Sequence, residues 1–208
     1  MFELLGKIPN ILGVACSGGV DSLSIVHFLM QSKSREIHIH YLWHYTQDSS
    51  ANLNAVLNFY WSNVKEYPNI KLHIDYLKKL TDSSVNEESY YHRQRYNFFT
   101  KKEYPIITGH HLDDQVENWI MTCLTGKPKL IPYSTVNVIR PFLLVRKNDF
   151  YEYAARHSIC YHTDKSNSNL KYRRNRIRAQ VTPLLHDIHP GLYKTIFNLI
   201  KAESVQTC

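Results

Sequence analysis

Apolar positions along this chain fall into two alternating rhythms. Residues 11–16 form a short continuous apolar run, the pattern of a buried strand, while Leu23, Val26, His27 and Met30 recur at the spacing of one helix face. Ile37, Ile39, Tyr41 and Trp43 then alternate with His38, His40 and Leu42, which predicts a second strand. The same reading gives a helix over 51–64, a third strand over 70–77, a polar and aromatic helix over 86–102, and a fourth strand over 105–109 with Ile106 and Ile107 buried. A helix over 112–124 follows, then a strand over 136–144 interrupted by Pro141, and helices over 148–157, 172–185 and 192–203. Residues 126–135, with Pro128 and Pro132, and the Ser- and Asn-rich residues 164–170 read as loops, the first of them mobile.

Strands alternating with helices predict an α/β fold, a parallel sheet flanked by helices on both faces. Ligands of such sheets sit at the carboxyl ends of the strands. At 208 residues the chain is one large domain or one domain with an appendage. We expect a catalytic domain over residues 1–186 and a short helical C-terminal tail over 187–208.

Composition narrows the class. A hydrophobic content of 43% against 21% charged residues supports a packed core and argues against disorder. No apolar run approaches a membrane span, and the first residues carry no secretory signal, so no membrane partner is expected. Cys16, Cys123, Cys160 and Cys208 are widely spaced with no CxxC pair, which reads as reduced thiols in a cytoplasmic protein. The net charge of +7 favours a polyanionic partner.

Candidate chemistry begins at Ser17-Gly18-Gly19-Val20-Asp21-Ser22, between the first strand and the first helix. Adjacent glycines let a ligand approach the backbone closely, and N–H groups at a helix start attract phosphate. Ser17 and Ser22 offer hydroxyls. Asp21 is an acid beside a phosphate cradle, which suits a divalent ion or a catalytic task. The lysine of the common GxxxxGK[ST] loop is missing. A second cluster, Gly109 to Glu117, follows the fourth strand. His110, Asp114 and Glu117 stand at i, i+4 and i+7, one face if helical, and could hold Mg²⁺ or position a nucleophile. A helix start with Asp113 or Asp114 near the dipole is the simpler reading of the same residues. Arg173, Arg174, Arg176 and Arg178 form a basic run that either faces solvent or meets phosphates. Tyr161 is expected in the core, His38 and His40 are expected to be structural, and Cys16 to be a packed small hydrophobe.

These segments, in this order, resemble those of the PP-loop ATP pyrophosphatases and, within them, the tRNA(Ile)-lysidine synthetases. Ser17 to Ser22 resembles the SGGxDS signature, and His110 to Asn118 resembles the HHLDDxxET segment. Glu88 with Arg95 and Tyr96 resembles the EAxARxxRY helix, and Ile139 to Leu143 the IRPLL strand. Asp164 to Asn167, Arg174 to Arg178 and Val181 to Leu185 resemble the D-x-[ST]-N and RNxIRxxVxPxL ending. The resemblance covers nearly the whole chain. His92 replaces an arginine of the helix motif, Thr163 stands where an acid often precedes Asp164, and Trp43-His44-Tyr45-Thr46 replaces a histidine-histidine-glycine-leucine segment.

The resemblance implies a PP-loop, Rossmann-like adenine nucleotide α-hydrolase fold. It also implies a reaction in which ATP adenylates the wobble cytidine of a CAU-anticodon tRNA(Ile). Free lysine then displaces AMP, and pyrophosphate has already left. On that basis Ser17, Gly18, Gly19, Val20, Asp21 and Ser22 are candidates for binding ATP. Asp21, His110, Asp114, Glu117, Arg95 and Arg174 are candidates for catalysis, and Asp21, Asp114 and Glu117 for Mg²⁺. Arg173, Arg174, Arg176 and Arg178 are candidates for contacting tRNA. Two competing readings are cytidine thiolation by a related PP-loop enzyme and a non-catalytic tRNA-binding relative. The oligomeric state stays open, a homodimer included.

Overall fold

The computed structural model describes residues 2–82, 84–164 and 169–206, and the side chains of all of these except 88 and 204–206. Lys165, Ser166 and Asn167 of the expected motif, and the Glu88 side chain, therefore lie outside the described residues.

Six strands form one sheet in the order β3-β2-β1-β4-β6-β5. They are β1 (Ile11–Ala15), β2 (Glu36–Trp43), β3 (Ile70–Tyr76), β4 (Ile106–Ile107), β5 (Ser134–Thr135) and β6 (Val138–Ile139). β3, β2, β1, β4 and β6 run parallel, with Val14 opposite Ile39 on one side and Ile107 on the other. The helices between them are α1 (Val20–Met30), α2 (Ser49–Asn63), α3 (Glu87–Phe99), α4 (Leu112–Cys123) and α5 (Lys147–Arg156).

The side-chain alternation of the strands decides what each face buries. Leu12, Val14, Ile37, Ile39, Tyr41 and Ile107 face α1, α2 and α5 and form the largest core with Leu23, Val26, Val56 and Phe150. The other face places Leu42, Ile106 and Val138 against Tyr91 and Phe99 of α3. Both faces are thus covered, as the alternation of strands and helices implies.

Three expectations are corrected. The sheet is not wholly parallel: β5 pairs antiparallel with β6, inside the stretch expected to be a loop. The turn between them is Val136-Asn137, with Asn137 at φ 57, where asparagine tolerates the left-handed backbone. The expected strand over 136–144 shrinks to two residues because Pro141 has no N–H to continue the ladder. Finally, the helix expected over 172–185 is three pieces: α6 (Arg173–Arg176), a π-helical turn (Ile177–Val181) and α7 (Thr182–Ile188). The last helix, α8 (Leu192–Gln206), docks on α4 through Leu192, Ile196 and Ile200.

Candidate active site

β1 is the point where strand order reverses, with β2 on one side and β4 on the other. A crevice opens at the carboxyl ends of strands at such a point. Two helices start there, α1 directly after β1 and α4 shortly after β4.

The turn into α1 is shaped by its own hydrogen bonds. Ser22 Oγ donates to the Gly19 carbonyl at 3.1 Å and accepts from the Ser17 N–H at 3.2 Å. Ser22 therefore braces the turn. Gly18 sits at φ +82, and a Cβ there would lie 2.4 Å from the Asn52 carbonyl, so glycine is obligatory. The Gly18 carbonyl accepts from the His162 N–H at 3.0 Å, which ties the turn to the segment after α5. Gly19 differs: its φ is −80, and an added Cβ would meet nothing closer than 3.6 Å. The fold does not need glycine at 19. That residue lines a crevice of about 910 Å³, and a Cβ would take crevice space. Gly19 caps α1 with no side-chain hydrogen bond, leaving the first N–H groups of the helix for a ligand.

Basic groups stand around this opening. Lys147 Nζ holds both oxygens of Asp21 at 2.7 Å. Asp113 accepts from the Lys147 N–H at 2.7 Å and from Arg146 Nε at 3.4 Å. The Arg146 guanidinium lies 3.3 Å from the centre of the Tyr193 ring. Ser17, Gly19, Val20, Asp21, Lys147 and Arg178 all line the large crevice.

The start of α4 is built oppositely. His111 is its N-cap: its side chain accepts from the Asp114 N–H at 3.4 Å, and Asp114 returns a bond from the His111 N–H at 3.0 Å. This is a reciprocal capping box. It corrects the expected helix face: α4 begins at Leu112, so His110 precedes it and is not on the face of Asp114 and Glu117. Asp114 and Glu117 are buried, and each accepts from arginine. Arg174 donates to Asp114 at 2.9 Å and to Glu117 at 2.8 Å, and Arg178 donates to Glu117 at 2.6 Å. Arg174 and Arg178 stand four residues apart on one helix face, so both reach the Glu117 carboxylate.

The electrostatics follow. Burial alone would raise the Asp114 carboxyl, but His111, Arg174 and His110 pull it down to about 2. Burial would lower the Arg174 guanidinium, but Asp114 and Glu117 hold it above its ordinary value. Burial also pushes the His110 imidazole down to about 4, against the opposing pull of Asp114, so it is neutral near pH 7. His110 Nδ1 meets the Thr108 hydroxyl at 2.9 Å.

A smaller cavity of about 370 Å³ lies beside the large crevice. Asp21, His110, Asp114, Arg95 and Arg174 line it, together with His44. Ser17, Asp21 and Asp114 border both spaces, and Glu117 borders the large one. The structure thus gathers all six catalytic candidates around two adjoining spaces. It splits the arginine run: Arg174 and Arg178 pair with the carboxylates of α4, Arg178 while still 42% exposed, and Arg173 and Arg176 are exposed. Tyr161 is not core, as expected, but 38% exposed on the crevice rim. Cys16 is buried as expected, its thiol pushed up to about 11 by that burial.

The three metal candidates are not brought together as ligands. Among the described residues no group of three histidine, cysteine or acidic side chains is placed to hold a metal ion. Asp21, Asp114 and Glu117 each face a basic side chain instead. Only Asp21 lies beside the phosphate turn, and Mg²⁺ commonly takes one or two carboxylates with the substrate's own phosphates.

Sequence reasoning missed Lys147, Arg146, His111 as cap, and His162. Lys147 had one signal: a lysine immediately before the start of a predicted helix opposes the dipole and calls for a partner.

A mostly parallel α/β sheet with an uncapped glycine turn after its first strand defines the class. Residues 5–185 match the family described as the PP-loop domain. A tRNA(Ile)-lysidine synthase of Petrotoga mobilis is 30% identical, over 96% of this chain and 68% of the relative. One from Francisella philomiragia is 29% identical, over 93% of this chain and 50% of the relative. The bifunctional protein TilS/HprT of Listeria monocytogenes serotype 4b (strain F2365) is 31% identical, over 86% of this chain and 30% of the relative. The chain belongs to the PP-loop family, in its tRNA(Ile)-lysidine synthase branch. It spans between about a third and a half of the length of several of these relatives. The U34-tRNA thiolase NcsA from Methanococcus maripaludis, with its [4Fe-4S] cluster, superposes with a TM-score of 0.73 at 17% identity, covering 95% of this chain and 73% of that one, a likeness of fold. No helix among the described residues is long and apolar enough to cross a membrane.

Proposed function

We propose that this chain makes lysidine on tRNA. ATP binds with its phosphates at the Gly18–Gly19 turn and the bare start of α1. The 2-carbonyl oxygen of the wobble cytidine in a CAU-anticodon tRNA(Ile) attacks the α-phosphate, and pyrophosphate leaves. The amine of free lysine then attacks C2, the bond to the adenylated oxygen breaks, and AMP departs. The residues of the chain suit these demands. Charge builds on the α-phosphate in the first step, and helix N–H groups with Lys147 nearby would offset it. Mg²⁺ would arrive with the phosphates, beside Asp21, and supply Lewis-acid polarisation of a phosphoryl oxygen. Asp21 would then exchange Lys147 for the ion.

Asp114 and Glu117 offer buried carboxylates that a lysine ammonium could share with Arg174 and Arg178. Neutral His110, which lines the smaller cavity, can accept a proton without first losing one. Arg95 would oppose negative charge in the smaller cavity, and the exposed Arg173 and Arg176 would meet the tRNA backbone. Residues 1–186 would carry the catalysis, with the last residues an extension, in the cytoplasm; a homodimer is compatible with this scheme.

The observation that carries the reading is Gly19: the fold does not require glycine there, yet the residue lines the crevice at the open start of α1. Thiolation is less well supported, because Cys16, the cysteine nearest the turn, is a buried thiol held protonated. The test is transfer of labelled lysine to a CAU-anticodon tRNA(Ile) transcript, with ATP and Mg²⁺, and with tRNA(Met) as control. Lysine on the isoleucine transcript alone is expected. AMP release with no lysine on either RNA would overturn lysidine synthesis while keeping the ATP chemistry.

A further inference from the structure

The segment that departs most from the family's motifs, Trp43 to Thr46, makes a surface feature that the reaction above does not use. Trp43 ends β2, beside Tyr76 at the end of the edge strand β3, and their ring centres are 6.0 Å apart. Tyr45 stands 6.4 Å from Trp43 on its other side. Trp43 is half-buried against the main core, whereas Tyr45 is 42% and Tyr76 66% exposed. Three aromatic rings thus form a ledge at the carboxyl ends of two strands, on the side where ligands meet this kind of sheet. Tyr45 is held at φ 60, a left-handed backbone that a tyrosine rarely adopts. That turn sends consecutive side chains to different places: His44 lines the smaller cavity, while Tyr45 joins the ledge. Lys78 and Lys79, both exposed, follow Tyr76 after the buried Leu77.

We infer that this ledge stacks an unpaired base of the RNA substrate next to the nucleotide that reacts, with Lys78 and Lys79 on its phosphates. The inference rests on the tRNA reading above. Exposed aromatic faces with adjacent cations are what unpaired RNA uses, because every base has a stacking face and every linkage a charge. The net charge of +7 points the same way. An apolar protein surface would gain little from two lysines at the rim. The ledge lies outside both cavities' linings, so an ATP held at the glycine turn does not need it.

The test is binding of a CAU-anticodon stem-loop RNA to the whole chain, measured by fluorescence anisotropy alongside ATP affinity and thermal melting. Tyr76→Ala and Tyr45→Ala should each weaken RNA binding about tenfold, in line with the loss of one stacked base. Tyr76→Phe should bind as the parent does, and ATP affinity and melting should not move. Changing Lys78 and Lys79 together to Gln should flatten the salt dependence of RNA binding. RNA binding unchanged in both alanine variants would overturn the ledge and leave the tRNA reading standing. Loss of ATP affinity in those variants would overturn it in favour of an adenine platform. A parent chain that binds ATP but no RNA would overturn both the ledge and the tRNA reading.

Discussion

Two helices start side by side at the reversal point of the sheet, and they are finished in opposite ways. α1 begins at Gly19 with no capping side chain and opens on a crevice of about 910 Å³. α4 begins at His111 with a reciprocal cap, and its next acids are buried under two arginines. The cost of an unsatisfied helix start is the same in both places. The protein satisfies one with its own side chains and leaves the other open to the crevice. Under the proposed function, the open start is where the ATP phosphates bind, and the capped start carries the carboxylates offered to the lysine amine.

The largest expected effect separates the two acids of these first turns. Asp21→Asn should lower lysine transfer by about a hundredfold or more, the scale of losing one electrostatic contact to a transition state, with little change in melting. Asp114→Ala should instead lower stability by about 2 kcal/mol, because Arg174 and Arg178 lose a buried partner. Their side chains are 36% and 42% exposed, which keeps the loss below that of a fully buried pair. Urea titration of both variants reads the contrast. Equal stability loss in the two would break it.

Acid should act on the buried histidines. The imidazoles of His44 and His110 are pushed down to about 4, and that of His40 to about 3, each chiefly by burial. A folded value below the unfolded one of 6.5 means the unfolded chain binds protons first. Their contribution is fully present above pH 6.5 and is lost as pH falls towards 4, at most about 1.4 kcal/mol per pH unit for each group. Unfolding free energies at pH 7 and pH 5 measure this. A flat profile would contradict it. The smallest effect is the cap: His111→Ala should cost about 0.5 kcal/mol, the low end for an N-cap given the 3.4 Å bond.

Much of this was legible in the sequence. Apolar patterning carried β1 to β3 and α1 to α4: a continuous buried run marks β1, alternation marks β2, and helical spacing marks the helices. It failed where two or three residues suffice, at β5 and β6, whose pairing depends on a turn at Asn137 and a stop at Pro141. It also failed at residues 172–185, where a π turn leaves the helical period unbroken in composition. The glycine turn was readable because its residues are contiguous. Lys147 and Arg146 were not, since only the fold brings them to Asp21 and Asp113. The arginine run read as one basic patch, yet spacing alone could not tell Arg174 and Arg178, which pair with carboxylates, from Arg173 and Arg176.

The most direct measurement is ATP binding by titration calorimetry to the parent, Gly19→Ala and Gly18→Ala, each with its melting temperature. Gly19→Ala should fold as the parent does and lose ATP affinity at least tenfold, because its Cβ takes ligand space. Gly18→Ala should lose both, through its positive φ and the Asn52 carbonyl. A Gly19→Ala protein that binds ATP like the parent would contradict the claim that the bare start of α1 is the phosphate site.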